Sequence, residues 1–510
     1  MGSMRHLPPV SVALGRAVLA TGLVACSLAT GSARATNPHG AKVDDRVAQA
    51  ADTSSASTQI PVIVFGKQVG GRSDPELAVH AQLSPQAAAG TVKAGDLDKL
   101  AQEPNVAFIA PNAAVAAFGN GPTSNAFPNL ATLYPVVDGA PAAWSQGYDG
   151  SGVGIAIVDS GTVRDDFANG RLKHVDGANH GDDTYGHGDL VSHIAAGCCA
   201  GGAYVGIAPG ATVLSYNVNT PDGARTSDVI EGLLWAASYA QKENVRVVNL
   251  SLGETTPSSS QQDLLDTVVE SLEQNGILVV AAAGNLGPNS AVFAPANDPF
   301  ALSVGATDVN GTANTADDTL TPWSTFGTTP DGFAKPNLVA PGRSIVSHLD
   351  PSSTLGTQAP AANWVPGLPY ASISGTSFSA PQVAGAAAIL FQEHPDWTPG
   401  QVKWVLENTA RPVAGSSVGS LDLQAATSYA GTPPDADAGL TPSQFGLGQW
   451  VQDALNGTFH SNSWTSNSWT SNSWTSNSWT SNSWTSNSWT SNSWTSNSWT
   501  SNSWTSQGWG

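Results

Sequence analysis

Four short, nearly continuous apolar runs in the middle of the chain predict its architecture. They occupy residues 153–158, 212–218, 245–250 and 277–283. Short runs without polar alternation are typical of parallel strands that are covered on both faces. The segments between and after these runs contain stretches in which apolar residues have helical spacing. The pattern therefore predicts an α/β domain with a mostly parallel sheet covered by helices.

Two helix starts can be placed from local signals, and a third helix from composition. Asp228 and Glu231, three residues apart, predict a helix start, and the apolar residues that follow form one helical face. Thr398 and Gln401 form a capping box around a Pro-Gly pair, which suits a first turn. The run of small residues at 383–390 predicts a tightly packed, buried helix.

The first 35 residues predict an export signal. Arg5 and Arg16 precede an apolar stretch of about 14 residues that ends near small residues, a length too short to span a bilayer permanently. The four residues that end at Cys26 also resemble a bacterial lipoprotein processing box. We therefore expect a secreted protein, with a lipoprotein anchored at Cys26 as the alternative.

Segments of different composition flank the α/β domain. On its N-terminal side, apolar runs at 60–65 and 106–110 and a possible helix at 96–102 predict a small α+β unit. A break rich in Gly, Pro and Asn follows at 119–125. Near the C-terminus, nine copies of Ser-Asn-Ser-Trp-Thr form a low-complexity tail whose period matches neither helix nor strand. The predicted organisation is a signal peptide (1–35), a linker (36–58), the α+β unit (59–118), the α/β domain (119–428), a linker (429–460) and the tail (461–510).

Composition argues against two classes of partner and one kind of metal site. The chain has 19 Lys and Arg against 39 Asp and Glu, a net charge of −20, which argues against an anionic membrane surface as partner and excludes nucleic acid. The three cysteines lack the spacing of zinc ligands. Because Cys198 and Cys199 are adjacent, an ordinary disulfide between them would be strained, and we expect two small buried apolar side chains.

The residue types needed for nucleophilic catalysis occur at the ends of predicted strands and the starts of predicted helices. Asp159 ends the first apolar run, His187 lies between two glycines where a helical pattern begins, and Ser377 immediately precedes the buried small-residue helix. A serine hydroxyl becomes nucleophilic when a histidine takes its proton, and a carboxylate fixes the tautomer of that histidine. Asn285, just past the fourth run, offers an amide donor to an oxyanion, together with the Ser377 backbone N–H.

These segments resemble the subtilisin-like serine peptidases, whose chain order Asp, His, Ser matches residues 159, 187 and 377. The resemblance implies a three-layer subtilisin-like fold in which Asp159 orients His187, the general base, Ser377 is the nucleophile and Asn285 the oxyanion donor. It also implies that the unit at 59–118 is an inhibitory propeptide. The residues implied to bind the substrate are Gly223, Ala224, Arg225, Ser251, Leu252, Gly253, Gly284 and Phe293.

The resemblance also bears on specificity. It places Phe293 beside the primary specificity pocket, and the segments expected to wall that pocket, 251–253 and 281–284, carry no charge. We therefore expect an apolar residue on the acyl side of the scissile bond. Glu254, just beyond the first segment, is the one acid that would instead favour Lys or Arg.

No cofactor is implied, although family members often hold structural calcium through loop carboxylates. The acidic residues 308–318 offer such ligands, but a solvated acidic loop fits their spacing better. Asp189 stands where the family commonly has threonine, and an acid two residues from His187 is expected to shift the pH of peak activity. His193 lies about 240° around the helix from His187 and is interpreted as an ordinary helix histidine.

The sequence therefore predicts a secreted serine endopeptidase that hydrolyses polypeptides through an acyl-enzyme and processes its own precursor. The alternative is a catalytically inactive surface-binding or adhesion protein that presents the Trp-rich tail. The evenly spaced tryptophans of the tail favour weak multivalent binding to a cell-surface polymer. The alternative is a tail that has no ligand. Gly-Ser-Ser-Val-Gly at 415–419 matches an esterase nucleophile elbow, but the preceding Arg-Pro and the single later histidine argue against that activity.

Overall fold

The computed structural model of the protein describes residues 39–67, 69, 76–84, 86–117, 132–163, 167, 170–198, 203–220, 223–443, 448–456 and 462–463. The predicted signal peptide, the lipoprotein box at Cys26, the break at 119–125 and nearly all of the repeat tail lie outside these residues. Within the described part of the chain, no helix is long and apolar enough to cross a membrane.

The described residues contain helices and strands in the following order along the chain. The helices are α1 (Asp45–Asp52), α2 (Leu97–Gln102), α3 (Tyr134–Val137), α4 (Ala140–Ser145), α5 (His187–Ala196), α6 (Thr226–Ser238), α7 (Ala240–Glu243), α8 (Leu264–Gln274), α9 (Thr354–Gln358), α10 (Ala380–Glu393), α11 (Pro399–Asn408), α12 (Leu423–Ala426) and α13 (Gly448–Leu455). The strands are β1 (Gln59–Gly66), β2 (Leu77–Ser84), β3 (Ala87–Lys93), β4 (Val106–Pro111), β5 (Val115–Ala117), β6 (Gly154–Asp159), β7 (Leu172–Gly177), β8 (Thr212–Asn217), β9 (Val245–Leu250), β10 (Leu252–Glu254), β11 (Leu278–Ala282), β12 (Leu302–Asp308), β13 (Thr319–Leu320), β14 (Gly327–Thr328), β15 (Ala334–Lys335), β16 (Leu338–Pro341), β17 (Ile345–His348), β18 (Tyr370–Ile373) and β19 (Asn462–Ser463).

A large sheet at the centre of the molecule has the strand order β13-β12-β11-β9-β6-β8-β7, with β16 also paired to β12. All its pairings are parallel except that of β13. The four predicted apolar runs are neighbours in this sheet, as β11, β9, β6 and β8. The prediction of a mostly parallel sheet is confirmed.

Helices cover both faces of this sheet, and β6 shows how the sequence builds the three layers. Ile155 and Ile157 pack into the core shared with α5 and α10, whereas Ala156 and Val158 pack into the core shared with α6 and α8. Because successive side chains of a strand point to opposite faces, a strand inside three layers must be apolar at every position.

The predicted helix starts are confirmed at one position and corrected at the other. Thr398 caps α11, and its backbone N–H donates to the Gln401 side chain, as the capping box requires. In contrast, α6 begins at Thr226, two residues before the predicted start. Asp228 is the third residue of that helix and accepts a hydrogen bond from the Arg225 backbone N–H at 2.8 Å. The Asp228 carboxylate therefore caps α6 from the third position of the helix, not from the residue that precedes it.

The N-terminal unit is an antiparallel sheet in the order β2-β3-β1-β4, with α1 and α2 on one face. The strands predicted at 60–65 and 106–110 and the helix at 96–102 are present. The side chains of β1 alternate: Val62 and Val64 face α1 and α2, and Ile63 packs against α6 and α8 of the α/β domain. One face of this small sheet is therefore buried against the larger domain.

Neither predicted linker is a simple connection. Residues 36–58 include α1, whose Val47, Ala48 and Ala51 are buried against the small sheet. These residues share one helical face, so the segment folds although its overall composition is that of a linker.

In the segment predicted as the second linker, residues 429–460, the described residues 429–443 and 448–456 pack on the α/β domain. Asp437 pairs with the buried Lys403 at 2.7 Å, and the Ser443 backbone N–H donates to Glu270 at 2.7 Å. Val451 and Ala454 of α13 are buried in the core shared with α6 and α8. Beyond it, β19 pairs with β2 of the N-terminal unit.

Two further sequence expectations are settled by the described residues. Cys198 is disulfide-bonded, so its interpretation as a free, buried apolar side chain is wrong. The esterase-like segment at 415–419 is a short loop between Arg411 and Ser420, which pair with each other. It therefore lacks the strand-turn-helix context that a nucleophile elbow needs.

Candidate active site

Asp159 and His187 are brought together at the carboxyl edge of the central sheet. Asp159 is the last residue of β6, and His187 is the first residue of α5. His187 Nδ1 donates to Asp159 Oδ1 at 2.7 Å, and both side chains are buried. The carboxyl edge beside the central strand is where open α/β sheets place their binding crevices. The hydrogen bond leaves Nε2 as the nitrogen that can act as a base.

Ser377 lies in the tight turn Thr376–Phe378, immediately before α10. Its hydroxyl donates to the Ser251 carbonyl oxygen at 3.0 Å, and the Ser251 hydroxyl donates to the Ser377 carbonyl oxygen at 2.7 Å. The next residue, Phe378, packs its ring against the His187 imidazole, with 5.4 Å between centroids. Among the described residues, His187 Nε2 has no hydrogen-bond partner. In this structure the Ser377 hydroxyl therefore donates to the backbone of the segment 251–253 and not to His187.

Asn285 follows β11 and faces the turn that carries Ser377. Its side-chain Oδ1 accepts hydrogen bonds from the Thr376 backbone N–H at 3.0 Å and from the Thr376 hydroxyl at 3.1 Å. The carbonyl end of the amide is thereby fixed, so its NH2 end is oriented to act as the donor. Thr376 was not singled out by the sequence, although it lies beside the predicted nucleophile.

Asp183 connects the two segments that carry Asp159 and His187. Its Oδ1 accepts from the Ser160 hydroxyl at 2.9 Å and from the Gly186 backbone N–H at 2.7 Å. Its Oδ2 accepts from the Asp189 backbone N–H at 2.8 Å. Burial, with a contribution from the charge of Asp189, raises the pKa of Asp183 to about 7. Sequence reasoning missed this residue, although an acid four positions before His187 was a visible signal.

Asp189 belongs to a buried cluster of side chains from α5 and β17. His348 Nδ1 of β17 donates to its Oδ2 at 2.7 Å, and His193 Nδ1 lies 3.2 Å from its Oδ1. Burial would raise the pKa of Asp189, but the charges and hydrogen bonds of His193 and His348 lower it to about 2. His193 is thus a buried partner of Asp189 and not an ordinary helix histidine. The shift of peak activity expected from Asp189 stays a prediction.

The same cluster is the group of described side chains that best matches a metal-ligand set. Asp189, His193 and His348 offer ligand atoms within 4.8 Å of one another. However, His193 Nδ1 also donates to the Asp189 backbone carbonyl oxygen at 2.8 Å, and His348 Nδ1 is bonded to the carboxylate. These hydrogen bonds hold the three side chains together as a polar cluster, and they occupy the atoms that face the carboxylate.

The loop at 308–318 does not fit a calcium site. Asp308 pairs with Arg343, Asp317 accepts from the Thr312 hydroxyl, and Asp318 pairs with Arg411. Calcium requires six to eight oxygen ligands directed at one point. Here the carboxylates are committed to different partners of the chain itself.

A strand from the N-terminal unit occupies the cleft between the two segments expected to bind substrate. β5 pairs antiparallel with β10, with Ala116 opposite Gly253 and Ala117 opposite Leu252. On its other side, the Val115 backbone N–H donates to the Ala224 carbonyl oxygen at 2.9 Å. Residues 223–225 and 251–253 therefore do face each other across an extended peptide segment.

The two remaining predicted binding residues lie in segments that contact the turn of Ser377 and the strand β10. The Gly284 backbone N–H donates to the Thr376 hydroxyl at 3.1 Å, which connects the segment after β11 to the turn that carries Ser377. Phe293 is half-buried in the segment that runs beside residues 254–258; the neighbouring Ala294 carbonyl oxygen accepts from the Glu254 backbone N–H at 2.8 Å. The segment that carries Phe293 is thus next to β10.

Comparison with known proteins agrees with this geometry. The family model described as the subtilase family matches residues 150–448, more than half of the chain. The chain belongs to the subtilase family of serine endopeptidases. Its fold and the resemblance inferred from its motifs are confirmed, and the matched region extends past the predicted domain end at residue 428.

Curated relatives and a solved structure show how far the similarity of this subtilase extends. It is 35% identical to the serine protease AprX of Bacillus subtilis, over 51% of this chain and 61% of that relative. It is also 35% identical to subtilisin BL of Lederbergia lenta, over 56% of this chain and 95% of that relative. Fervidolysin of Fervidobacterium pennivorans, a keratinolytic enzyme related to subtilisin, shares the fold with a TM-score of 0.56 and 21% identity, over 74% of this chain and 62% of fervidolysin.

Proposed function

We propose that this subtilase is a secreted endopeptidase that hydrolyses internal peptide bonds through an acyl-enzyme at Ser377. The observation that carries the proposal is the 2.7 Å hydrogen bond from His187 Nδ1 to Asp159, with Ser377 in the turn that packs on the same imidazole. His187 Nε2 accepts the Ser377 proton as the hydroxyl attacks the substrate carbonyl, and Asp159 stabilises the imidazolium that forms.

Two donors serve the oxyanion of the tetrahedral intermediate in this proposal. They are the Asn285 side-chain NH2 and the Ser377 backbone N–H. Thr376 supports the first by binding the opposite end of the amide. A fixed donor stabilises developing charge without having to reorient during the reaction. His187 then returns its proton to the leaving amine, and water hydrolyses the ester.

A fluorophosphonate probe tests this assignment, because it reacts only with an activated serine. We expect the probe to label Ser377, and labelling to disappear in Ser377→Ala. Mass spectrometry of the labelled peptide distinguishes Ser377 from Ser374 and Ser379, which lie in the same segment. Absence of label on the folded protein would favour the alternative, an inactive surface-binding protein that presents the repeat tail.

We further propose that the unit at 59–118 is an intramolecular inhibitor that the enzyme removes by cleavage at the predicted boundary after residue 118. Support comes from β5, which lies antiparallel to β10 and so occupies the cleft as an extended peptide. The helix α1 before residue 59 packs on this unit and is expected to leave with it. In Ser377→Ala, the precursor should accumulate; normal maturation of that variant in a protease-free host contradicts self-processing.

Export is supported by the signal-like N-terminus and by the disulfide at Cys198, because disulfides persist in oxidising compartments. N-terminal sequencing of the protein recovered from the culture medium tests export and processing together. A first residue near position 36 in Ser377→Ala and near 119 in the active enzyme is the expected result. A lipidated N-terminus at Cys26 would instead place the precursor on the membrane.

An apolar residue is the proposed preference on the acyl side of the scissile bond. The segments that wall the cleft near Ser377 carry no charge, and Phe118, the last residue before the proposed boundary, is itself apolar. Profiling with a peptide library measures this preference directly. Dominance of Lys or Arg at that position contradicts it.

The repeat tail is proposed to retain the enzyme on a cell-surface polymer. Ten of the 17 tryptophans lie in this uncharged tail, and identical weak sites on one chain gain avidity through effective concentration. Truncation after Asn456 should leave hydrolysis of a short soluble peptide unchanged and move enzyme from the polymer-bound fraction into solution. Unchanged partitioning favours a tail without a ligand.

A further inference from the structure

Arg46, from the helix α1 that packs on the N-terminal unit, reaches a pair of buried carboxylates in the α/β domain. Its Nη1 lies 3.1 Å from Asp263 Oδ2 and 3.4 Å from Glu254 Oε2, and each carboxylate side chain is 1% exposed. Asp44, two residues earlier, accepts from the Nε of the same guanidinium at 3.1 Å. In the described part of the chain, Arg46 is the only cation that pairs with either carboxylate.

The carboxylate pair lies directly beside the strand that occupies the cleft. Glu254 ends β10, where it stands opposite Val115 of β5. Its Oε1 accepts from the Thr226 hydroxyl at 2.6 Å, and the Thr226 backbone N–H donates to the Ala113 carbonyl oxygen at 3.0 Å. One threonine therefore connects the carboxylate to the backbone of an extended peptide in the cleft.

The surroundings of the carboxylate pair are acidic, and they favour a cationic occupant. Burial raises the pKa of Glu254, the charge of Asp263 raises it further, and Arg46 opposes both. Asp266, also buried, adds a third carboxyl group nearby and feels the charges of Asp263 and Glu254. Removal of the N-terminal unit takes Arg46 away from two neighbouring carboxylates, and a new cation beside them relieves their mutual repulsion.

We propose that, in the processed enzyme, Glu254 and Asp263 form a subsite for a Lys or Arg side chain of the peptide substrate. This inference rests on the proposed processing, which removes Arg46 together with the N-terminal unit. If the boundary follows residue 118, Ala114 and Ala113 mark the fifth and sixth substrate residues before the scissile bond. A long basic side chain at either position would extend toward the carboxylates, past Thr226.

The proposal separates two specificities along one cleft. The residue next to the scissile bond lies near Ser377, where the walls are uncharged, whereas Glu254 turns its carboxylate toward Thr226, at the far end of β10. Glu254 therefore recognises a distant basic residue and leaves the primary pocket to apolar side chains. A basic residue is thereby expected several positions upstream of an apolar one in good substrates.

Quenched fluorescent peptides with the processed enzyme test this subsite. One series carries Phe before the scissile bond and Arg, Lys, norleucine or Glu at the fifth or sixth position upstream. We expect kcat/KM about tenfold higher for Arg or Lys than for norleucine, and lowest for Glu. The preference should shrink as salt is raised, because a partly exposed ion pair is screened.

Two variants assign the preference to the carboxylates. Glu254→Gln and Asp263→Asn keep the size of each side chain and should each reduce the Arg-over-norleucine ratio toward one. Asp331→Asn is the matched control, since Asp331 accepts hydrogen bonds from Ser259 and Ser260 and lies outside the pair, so the ratio should persist. If a variant fails to mature, the peptide series and its salt dependence on the unsubstituted enzyme still decide the question.

The outcomes distinguish this proposal from the one on which it rests. Equal cleavage of the Arg and norleucine peptides overturns the subsite and leaves the endopeptidase assignment intact. A ratio that survives both Glu254→Gln and Asp263→Asn also overturns it. Failure to cleave any peptide, together with absence of fluorophosphonate labelling, overturns the proposed function and the subsite with it.

Discussion

The Ser160 hydroxyl donates to Asp183 Oδ1 at 2.9 Å and, at the same time, accepts from the Gly188 backbone N–H at 2.9 Å. Ser160 directly follows Asp159, and Gly188 directly follows His187. The pair of hydrogen bonds therefore ties the end of β6 to the first turn of α5 independently of the bond between Asp159 and His187. Asp183 is the buried anchor of that connection.

Replacement of Asp183 by Asn should misplace His187 with respect to Asp159. An amide has one acceptor oxygen, whereas this carboxylate uses both oxygens as acceptors, so at least one bond must be lost. Misplacement of a catalytic group by about 1 Å can cost roughly 10²-fold in rate, and we expect kcat to fall toward that level with KM little changed. Steady-state kinetics measure the split, with the exposed neighbour Asp182→Asn as the control. Equal kcat in the two variants rules out the positioning role.

Gly188→Ala should separate α5, which carries His187, from β6. A Cβ at this position would lie 2.2 Å from the Gly161 carbonyl oxygen and 3.1 Å from the Ser160 backbone nitrogen. Both neighbours are backbone atoms, so α5 itself must shift. We expect a loss of about 1–3 kcal/mol in stability together with lower kcat. Gly448→Ala, whose Cβ would meet nothing within 4 Å, is the control in thermal unfolding and kinetics.

Asn285→Leu should lower kcat by about 10²–10³, or roughly 2.7–4 kcal/mol, which is the effect known for removal of an oxyanion donor in the relative subtilisin. Leucine keeps the approximate volume but removes both the NH2 donor and the acceptor that Thr376 binds. Substrate affinity should change little, because the donor acts on charge that develops in the transition state. Unchanged kcat in the purified variant would show that another group fills this role.

Stability should fall as the pH rises from about 4.5 to 7. Burial raises the pKa of Asp183, Glu231 and Glu270 to about 7, with nearby acids contributing for the first two. In this window the folded chain keeps protons that the unfolded chain has released, so unfolding is favoured as the pH increases. Thermal unfolding of Ser377→Ala, which avoids self-digestion, should give a Tm that is higher near pH 5 than near pH 8.

Asp189 limits the stable range on the acid side, with the opposite sign. Its pKa is lowered to about 2, so the stability it contributes is present above about pH 4 and lost as the pH falls toward 2. Two variants test the loss of stability that is expected between pH 4.5 and 7. Glu231→Gln should make that loss smaller, whereas replacement of the exposed Asp317 by Asn should leave it unchanged. A Tm that rises steadily from pH 4.5 to 8 contradicts the raised pKa values.

Local sequence signals are sufficient to predict a strand or helix where one continuous segment carries the whole pattern. The apolar run before Asp159 predicts the buried strand β6, and the helical pattern after His187 predicts α5. The strands β2 and β3 were missed, because their alanines and polar residues form no apolar run. The helix α1 was missed because Val47, Ala48 and Ala51 form a buried face within a segment of linker composition.

The sequence by itself determined the parallel sheet, the order of Asp159, His187 and Ser377, and the family to which they point. Tertiary structure alone decided which distant groups meet: Arg46 with Glu254 across 208 residues, and Asp189 with His348 across 159. The physical reason is that strands and helices follow from periodicity and caps within a few residues, whereas a buried charge finds its partner only when elements far apart in the chain pack together. Charge pairs between distant residues produce no periodic pattern in the sequence. The pair of Arg46 and Glu254 forms only because the N-terminal unit packs on the α/β domain.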